Sequence, residues 1–474
     1  MESGRLRFTT SYDDLAGAGA HFVCVGTPQA PGSCAADLRW VEAAFGELAA
    51  RLTGPALIVG KSTVPAGTAR RMAETVRRIT GGDRVEVAWN PEFLREGHAV
   101  EDTLRPDRLV FGVETPRAEK VLREVYRPVI EEGCPVVVAD YATAELVKVS
   151  ANAFLAMKIS FINAIAQVCE ATGAAVLPLA EALGYDDRIG PRFLGPGLGF
   201  GGGCLPKDIR ALYSCAGDLG LDEVAAFLRQ VDVINLGRRD RVLALGRDLL
   251  GGSYAGARVC ALGAAFKPNT DDVRDSPALA VASAAQAEGA RVVVHDPVAV
   301  DGARRLRPDL VYADSILTAA RGADLVLLLT DWTEFENLDP AVLSPVVRRR
   351  NDGGRPQPAD PGPLARRRVG LPGMRTAPGP RGPGADPEHP RGDGGGAPDL
   401  SFHAADHVEA AVAFDGDVAQ GQVGGPAAQG AAGLGLLVPG ASQSKVSRID
   451  QVRAVVSPDR PRWAWLATGT RRVR

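Results

Sequence analysis

Short apolar runs alternating with amphipathic stretches restrict the folds open to this chain more than any other feature. HFVCVG at 21–26, ALIVGKST at 56–63, VEVAWNPEF at 85–93, RLVFGV at 108–113 and CPVVVAD at 134–140 read as strands. Helical segments, for example Leu38 to Leu52 and Thr68 to Arg78, lie between them. Such alternation calls for a parallel sheet inside an α/β domain. From Thr143 to Cys169 the pattern becomes one long helix, apolar round most of its circumference, which calls for burial, a partner subunit being one surface that would supply it. A further helical stretch runs from Asp222 to Leu250. A second βαβ unit follows: ARVCALGAAF, a helix near Pro277 to Glu288, ARVVVHDP, and ADLVLLLT at 323–330. The expected fold is α/β, with two Rossmann-like doubly wound domains (1–140 and 251–347) joined by a central helical domain (141–250).

Beyond Arg348 the text changes to NDGGRPQPADPGP and similar Pro/Gly/Arg-rich sequence, then to an Ala/Gly-rich stretch from Leu400. Such sequence buries too little apolar surface to offset chain entropy, so 348–474 is expected to be a disordered tail. The whole chain, at 474 residues, 45% hydrophobic and 23% charged, has room for two or three ordinary globular domains. A net charge of -3 gives no reason to expect a nucleic acid or an anionic membrane as partner. No continuous apolar run approaches the ~18 to 20 residues that cross a bilayer, and MESGRLRFTTSYDD lacks the apolar core of a signal peptide. The seven cysteines are scattered and none falls in a CxxC pair, which argues for reduced thiols in the cytoplasm and against a metal site.

Three segments break helix and strand logic. Asn90-Pro91-Glu92-Phe93-Leu94-Arg95-Glu96-Gly97 follows a strand. Its two glutamates, four apart, either face one site from a helical turn or are first-turn acids that suit a helix dipole. Gly195 to Asp208 reads GPGLGFGGGCLPKD, where glycines indicate close backbone approach to a ligand or positive φ. Within it, Lys207 and Asp208 stand near Cys204 and are placed to tune a thiolate; the competing reading is a plain flexible loop. Phe266 to Pro277, FKPNTDDVRDSP, follows a strand of the second unit, where α/β sheets bind ligands. Lys267 and Arg274 there suit phosphate or carboxylate, or else the segment is a solvated charged loop. Gly263 does not begin a good GxGxxG.

Read in order, VGTP at 25–28, KSTVPAGT at 61–68, NPEFLREG at 90–97, AELVKVSANAFLA at 144–156, GFGGGCLPKD at 199–208 and FKPNTDDVRDSP at 266–277 resemble the nucleotide-sugar dehydrogenases. The UDP-glucose 6-dehydrogenases are the most similar branch, and the likeness covers roughly Gly4 to Val347. The resemblance implies an NAD-dependent, two-step oxidation of UDP-glucose to UDP-glucuronate through a thiohemiacetal and thioester on Cys204, within nucleotide-sugar metabolism and polysaccharide biosynthesis. It implies that Lys148 and Asn152, on one helix face, stabilise the oxyanion. Asp208 would assist proton transfer, and Glu96 with Thr63 would position the hydrolytic water. Implied substrate contacts are Glu92, Phe93, Leu94, Lys148, Asn152, Phe193, Leu194, Gly195, Pro196, Gly197, Gly201 and Lys267. Implied NAD contacts are Thr27, Thr63, Glu96, Lys207 and Arg274. The family's central helix builds a homodimer, and for Val149 and Phe161 core packing is the expected role.

Two departures from the family pattern carry expectations of their own. The strand, GxGYVG turn and helix that hold the NAD pyrophosphate in such proteins are not in this text. The first sheet is therefore expected to be incomplete, with exposed apolar edges. At the other end, permitted codons for Arg355 through Arg375, read displaced by one base, give GRNPLTPARWRAAGWAYRGCG, which resembles the family's tail. This points to a frameshift between about Pro340 and Arg355. The alternative to an active oxidoreductase is thus a catalytically silent remnant that at most binds a nucleotide sugar.

Overall fold

The computed structural model describes residues 6–347, together with 452–456 and 463–467. Its strands are β1 (Leu6–Thr9), β2 (Ala20–Val23), β3 (Ala56–Gly60), β4 (Val85–Trp89), β5 (Leu109–Gly112) and β6 (Val136–Ala139). They continue with β7 (Arg258–Leu262), β8 (Arg291–His295), β9 (Val311–Tyr312), β10 (Leu325–Leu328), β11 (Val452–Val456) and β12 (Trp463–Ala467). One sheet runs β1-β11-β12-β2-β3-β4-β5-β6 and the other β10-β7-β8-β9.

Every residue of β2 and β3 is buried, because helices cover both faces of a sheet whose strands are near-continuous apolar runs. Val23 and Ile58 pack with Phe45, Leu48 and Val76 on one side. Their neighbours Phe22 and Val59 pack with Phe111, Leu122 and Tyr126 on the other. The second sheet is parallel throughout, as its βαβ sequence requires.

The first sheet departs from expectation in two ways. It is mixed: β2, β3 and β4 are parallel, but β4 meets β5 antiparallel where Trp89 faces Gly112. Nor is β2 an open edge, since β12 runs parallel beside it and β11 links β12 to β1 through antiparallel ladders. Paired N–H and C=O groups there replace the exposed edge that the sequence suggested. The remaining expectations about 348–474, including the frameshift, lie outside the described residues.

Between the sheets stands the Tyr141–Thr172 helix, capped by the Asp140 carboxylate on Thr143 N and closed by Gly173 at φ 76°. The Leu205–Asp218 and Asp222–Leu249 helices pack on it around Ala153, Ala156, Phe200, Ile209, Leu228 and Val231. By length and composition alone the long helix suffices to cross a membrane, although the sequence showed no continuous apolar run of that length. Several of its buried polar side chains find partners inside the protein. Glu145, for instance, accepts from Gly67 N at 2.7 Å and Ala69 N at 2.6 Å, capping the Thr68–Thr80 helix from outside.

Candidate active site

Cys204 occupies the N-cap of the Leu205–Asp218 helix, which starts there because Pro206 suits a first-turn position that needs no N–H partner. The residue is exposed, yet the cleft walls desolvate its sulfur. Desolvation raises the thiol pKa above its ordinary value, and the charges of Glu92 and Asp208 push it further. Lys148 and Lys207 oppose that rise. The resting group is therefore a thiol that needs a proton acceptor at the moment of attack.

The charged and polar groups beside it come largely from two helices. Asp208, buried, takes Lys207 Nζ at 2.6 Å on one oxygen and Asn152 Nδ2 at 2.6 Å on the other. Lys148, one helical turn before Asn152 and also buried, pairs with Glu92 at 3.0 Å. Lys148 and Asn152, four apart on one helix face, thus each hold a carboxylate whose charge acts on the Cys204 sulfur.

The Glu92 and Glu96 pair does not. Residues 90–97 form no helical turn, so the two carboxylates part company. Glu92 faces Lys148, and its second oxygen accepts from Leu94 N at 2.9 Å. Glu96 turns to the second-sheet loop, 3.3 Å from Thr270 Oγ1 and 3.5 Å from Arg274 Nη2. Of these two glutamates, Glu92 is the one whose charge acts on the Cys204 thiol, together with that of Asp208. Phe93 lies under the Arg108 guanidinium at 3.9 Å, a contact that the sequence did not flag.

The glycines before Cys204 are explained by packing on 266–277. Gly202 N donates to Arg274 O at 2.9 Å. A Cβ at Gly201 would stand 2.5 Å from Asp275 O, and one at Gly202, where φ is 82°, would stand 2.7 Å from the Phe266 ring. Gly202→Ala is expected to cost about 2–4 kcal/mol, from a strained left-handed residue and an overpacked contact. Thermal unfolding reads this directly, and an unchanged melting temperature would refute the packing role.

Lys267 donates to Glu96 O at 2.6 Å, and Arg274, whose side chain stays 63% exposed, forks onto Asp272 at 2.7 and 2.9 Å and reaches Glu96 at 3.5 Å. Desolvation and the Asp272 charge raise Glu96 to about 7 from an ordinary 4.5. A carboxyl whose pKa rises on folding stabilises most below the unfolded value and loses that contribution as pH climbs through about 7. Glu96→Gln, which mimics the protonated form, should match the parent at pH 5 and melt roughly 5 °C higher at pH 8. A difference that does not change with pH would rule the titration out.

The remaining residues named from the sequence are held as follows. Buried Thr27 donates to Thr63 O at 2.8 Å, joining the loops after β2 and β3. Thr63, Val64, Pro65 and Ala66 line a small pocket together with Lys207 and Asp208, beside the carboxyl end of β3, the side of the sheet on which α/β folds hold nucleotides. Phe193 has φ 66°, Leu194 is buried, and Gly197 is gripped by Asn163 (2.9 Å to its N) and buried Arg238 (3.2 Å to its O). The grip on Gly197 was not legible, because Asn163 and Arg238 lie far from it in sequence. In the second sheet, Asp296 accepts from Ala264 N at 2.8 Å and Ala265 N at 3.0 Å. These bonds tie the loops after β7 and β8 together.

A doubly wound sheet with an open cleft at its strand ends, a cysteine at a helix start and paired lysines and carboxylates around it define an NAD-dependent oxidoreductase. The chain belongs to the UDP-glucose/GDP-mannose dehydrogenase family. Residues 1–130 match that family's NAD binding domain, 142–236 its central domain and 260–351 its UDP binding domain. Among relatives, the UDP-glucose 6-dehydrogenase of Rhizobium meliloti is 45% identical over 348 residues, covering 72% of this chain and 78% of the relative. That of Pseudomonas aeruginosa is 40% identical over 350 residues, covering 72% and 77%. The structure of a UDP-glucose dehydrogenase from Pyrobaculum islandicum, 41% identical, superposes with a TM-score of 0.67 over 70% of this chain and 76% of that one.

Proposed function

We propose that the chain oxidises UDP-glucose to UDP-glucuronate in two steps, with Cys204 as the covalent nucleophile. The observation that carries this reading is the convergence of Lys148, Asn152, Asp208 and Glu92 on the Cys204 cleft. Thr27, Thr63, Glu96, Lys207 and Arg274 would contact NAD, which when bound would accept the hydride of each oxidation.

After the first oxidation, the C6 aldehyde carbon bonds to the Cys204 sulfur, and the thiol proton passes to the Asp208 side of the cleft. The alkoxide that forms is stabilised by the Lys148 ammonium and the Asn152 amide. Loss of the second hydride leaves a thioester, which retains the intermediate on the protein. Glu92 takes a proton from the attacking water, the carbon–sulfur bond breaks and the sulfur regains a proton. One water and two NAD are consumed per sugar. Phe93, Leu94, the 193–197 loop, Gly201 and Lys267 hold the UDP-sugar.

We also propose a homodimer through the long helix. Phe154, Phe161 and Val168 recur every seven residues along it and stay 50 to 58% exposed, so Phe161 serves an interface better than the core expected for it.

Purified protein with UDP-glucose and NAD should form two NADH per sugar. One NADH with free aldehyde would overturn the covalent route. UDP-glucose binding without any NADH would favour the silent remnant instead.

A further inference from the structure

Asp275 has no role in the chemistry above, yet three structural demands meet on it. Its φ is 43°, a region that a residue with a side chain seldom enters. Its carboxylate accepts from Arg210 Nη1 at 3.2 Å and from Arg239 Nη2 at 2.9 Å, so it joins the Leu205–Asp218 and Asp222–Leu249 helices. Arg210 is fixed in turn by buried Asp232, at 2.9 and 3.3 Å. Two guanidiniums and two carboxylates are therefore matched in a half-buried network, where removing one charge leaves another unpaired.

The placement of this network connects it to the thiol. Arg210 belongs to the helix that begins at Cys204, and Asp275 directly follows Arg274. On the same stretch of backbone, Arg274 O holds Gly202 N at 2.9 Å, and Asp275 O fills the space beside Gly201. We propose that Asp275 is a positioning residue for the reaction: clamped between Arg210 and Arg239, it sets where the 266–277 loop stands against Cys204. Through that loop it fixes Lys267 and Arg274, whose charges act on the Cys204 sulfur. The inference rests on Cys204 as the nucleophile.

The test reads the thiol itself and does not depend on turnover. The full chain is alkylated with iodoacetamide across a range of pH, and each cysteine peptide is followed by mass. Asp275→Asn keeps a residue tolerant of positive φ but removes the charge, while Asp275→Gly relieves the backbone entirely. Glu92, Lys148, Asp208 and Lys207, the other charged groups facing the sulfur, are unchanged in both. Both variants should alkylate Cys204 at least threefold more slowly at pH 7, with its profile moved to higher pH, while buried Cys169 and Cys260 stay protected. An unmoved Cys204 profile in both would overturn the proposal. If Cys169 and Cys260 open up, the fold itself has loosened, and Arg239→Gln, which deletes one arm of the clamp, replaces them; an unmoved profile there overturns it equally. Failure of Cys204 as nucleophile would show separately, as activity that survives Cys204→Ala.

Discussion

Cys204→Ala is expected to lower overall turnover by roughly a thousandfold or more, because it removes the only group placed to hold the aldehyde between oxidations. Binding of UDP-glucose should survive, since its expected contacts at Glu92, Phe93 and Lys267 are not altered. Removing a thiol that is already open to the cleft should also change the melting temperature little. The variant therefore separates chemistry from folding. Steady-state NADH formation and a thermal scan on the same preparation check both halves, and wild-type turnover would exclude Cys204 from the reaction.

Lys148→Met should have the second-largest effect, a fall in kcat of roughly 10²- to 10³-fold, the usual scale for losing a fixed charge beside a developing oxyanion. Methionine keeps much of the apolar stem that the helix buries, so the loss reports the ammonium. Glu92 would be left without its partner at 3.0 Å, but its side chain is 28% accessible, and water screens part of the loss. A stability cost of about 1–2 kcal/mol is expected for that reason, below that of a fully buried pair. A kcat that holds while only the melting temperature falls would make Lys148 a structural residue.

The alternation of apolar runs with helices was enough to read β2 to β8, β10 and the long helix, because burial leaves that signature in the text, but not β1, β9, β11 or β12. β2 and β3 are the clearest cases. The site was legible wherever spacing within one element sets it: Lys148 and Asn152 share a face, and Cys204 shares a helix with Lys207 and Asp208. It failed where tertiary contacts decide. Glu92 and Glu96 look equivalent in a string, and only the loop carrying Thr270 and Arg274 pulls them apart. The glycines of 199–203 suggested either close approach to a ligand or positive φ; Gly199 and Gly202 do have φ of 97° and 82°, and the Phe266 ring and Asp275 backbone occupy the space that side chains at 201 and 202 would need. No local pattern announces a residue like Asp275, whose partners lie 65 and 36 positions away.

Intact-mass and peptide mapping of protein quenched during turnover with UDP-glucose and NAD tests the central claim most directly. The account predicts a UDP-sugar adduct on the peptide containing Cys204, lost on longer incubation as UDP-glucuronate appears and missing from Cys204→Ala. Steady formation of two NADH per sugar with Cys204 unmodified throughout would contradict it.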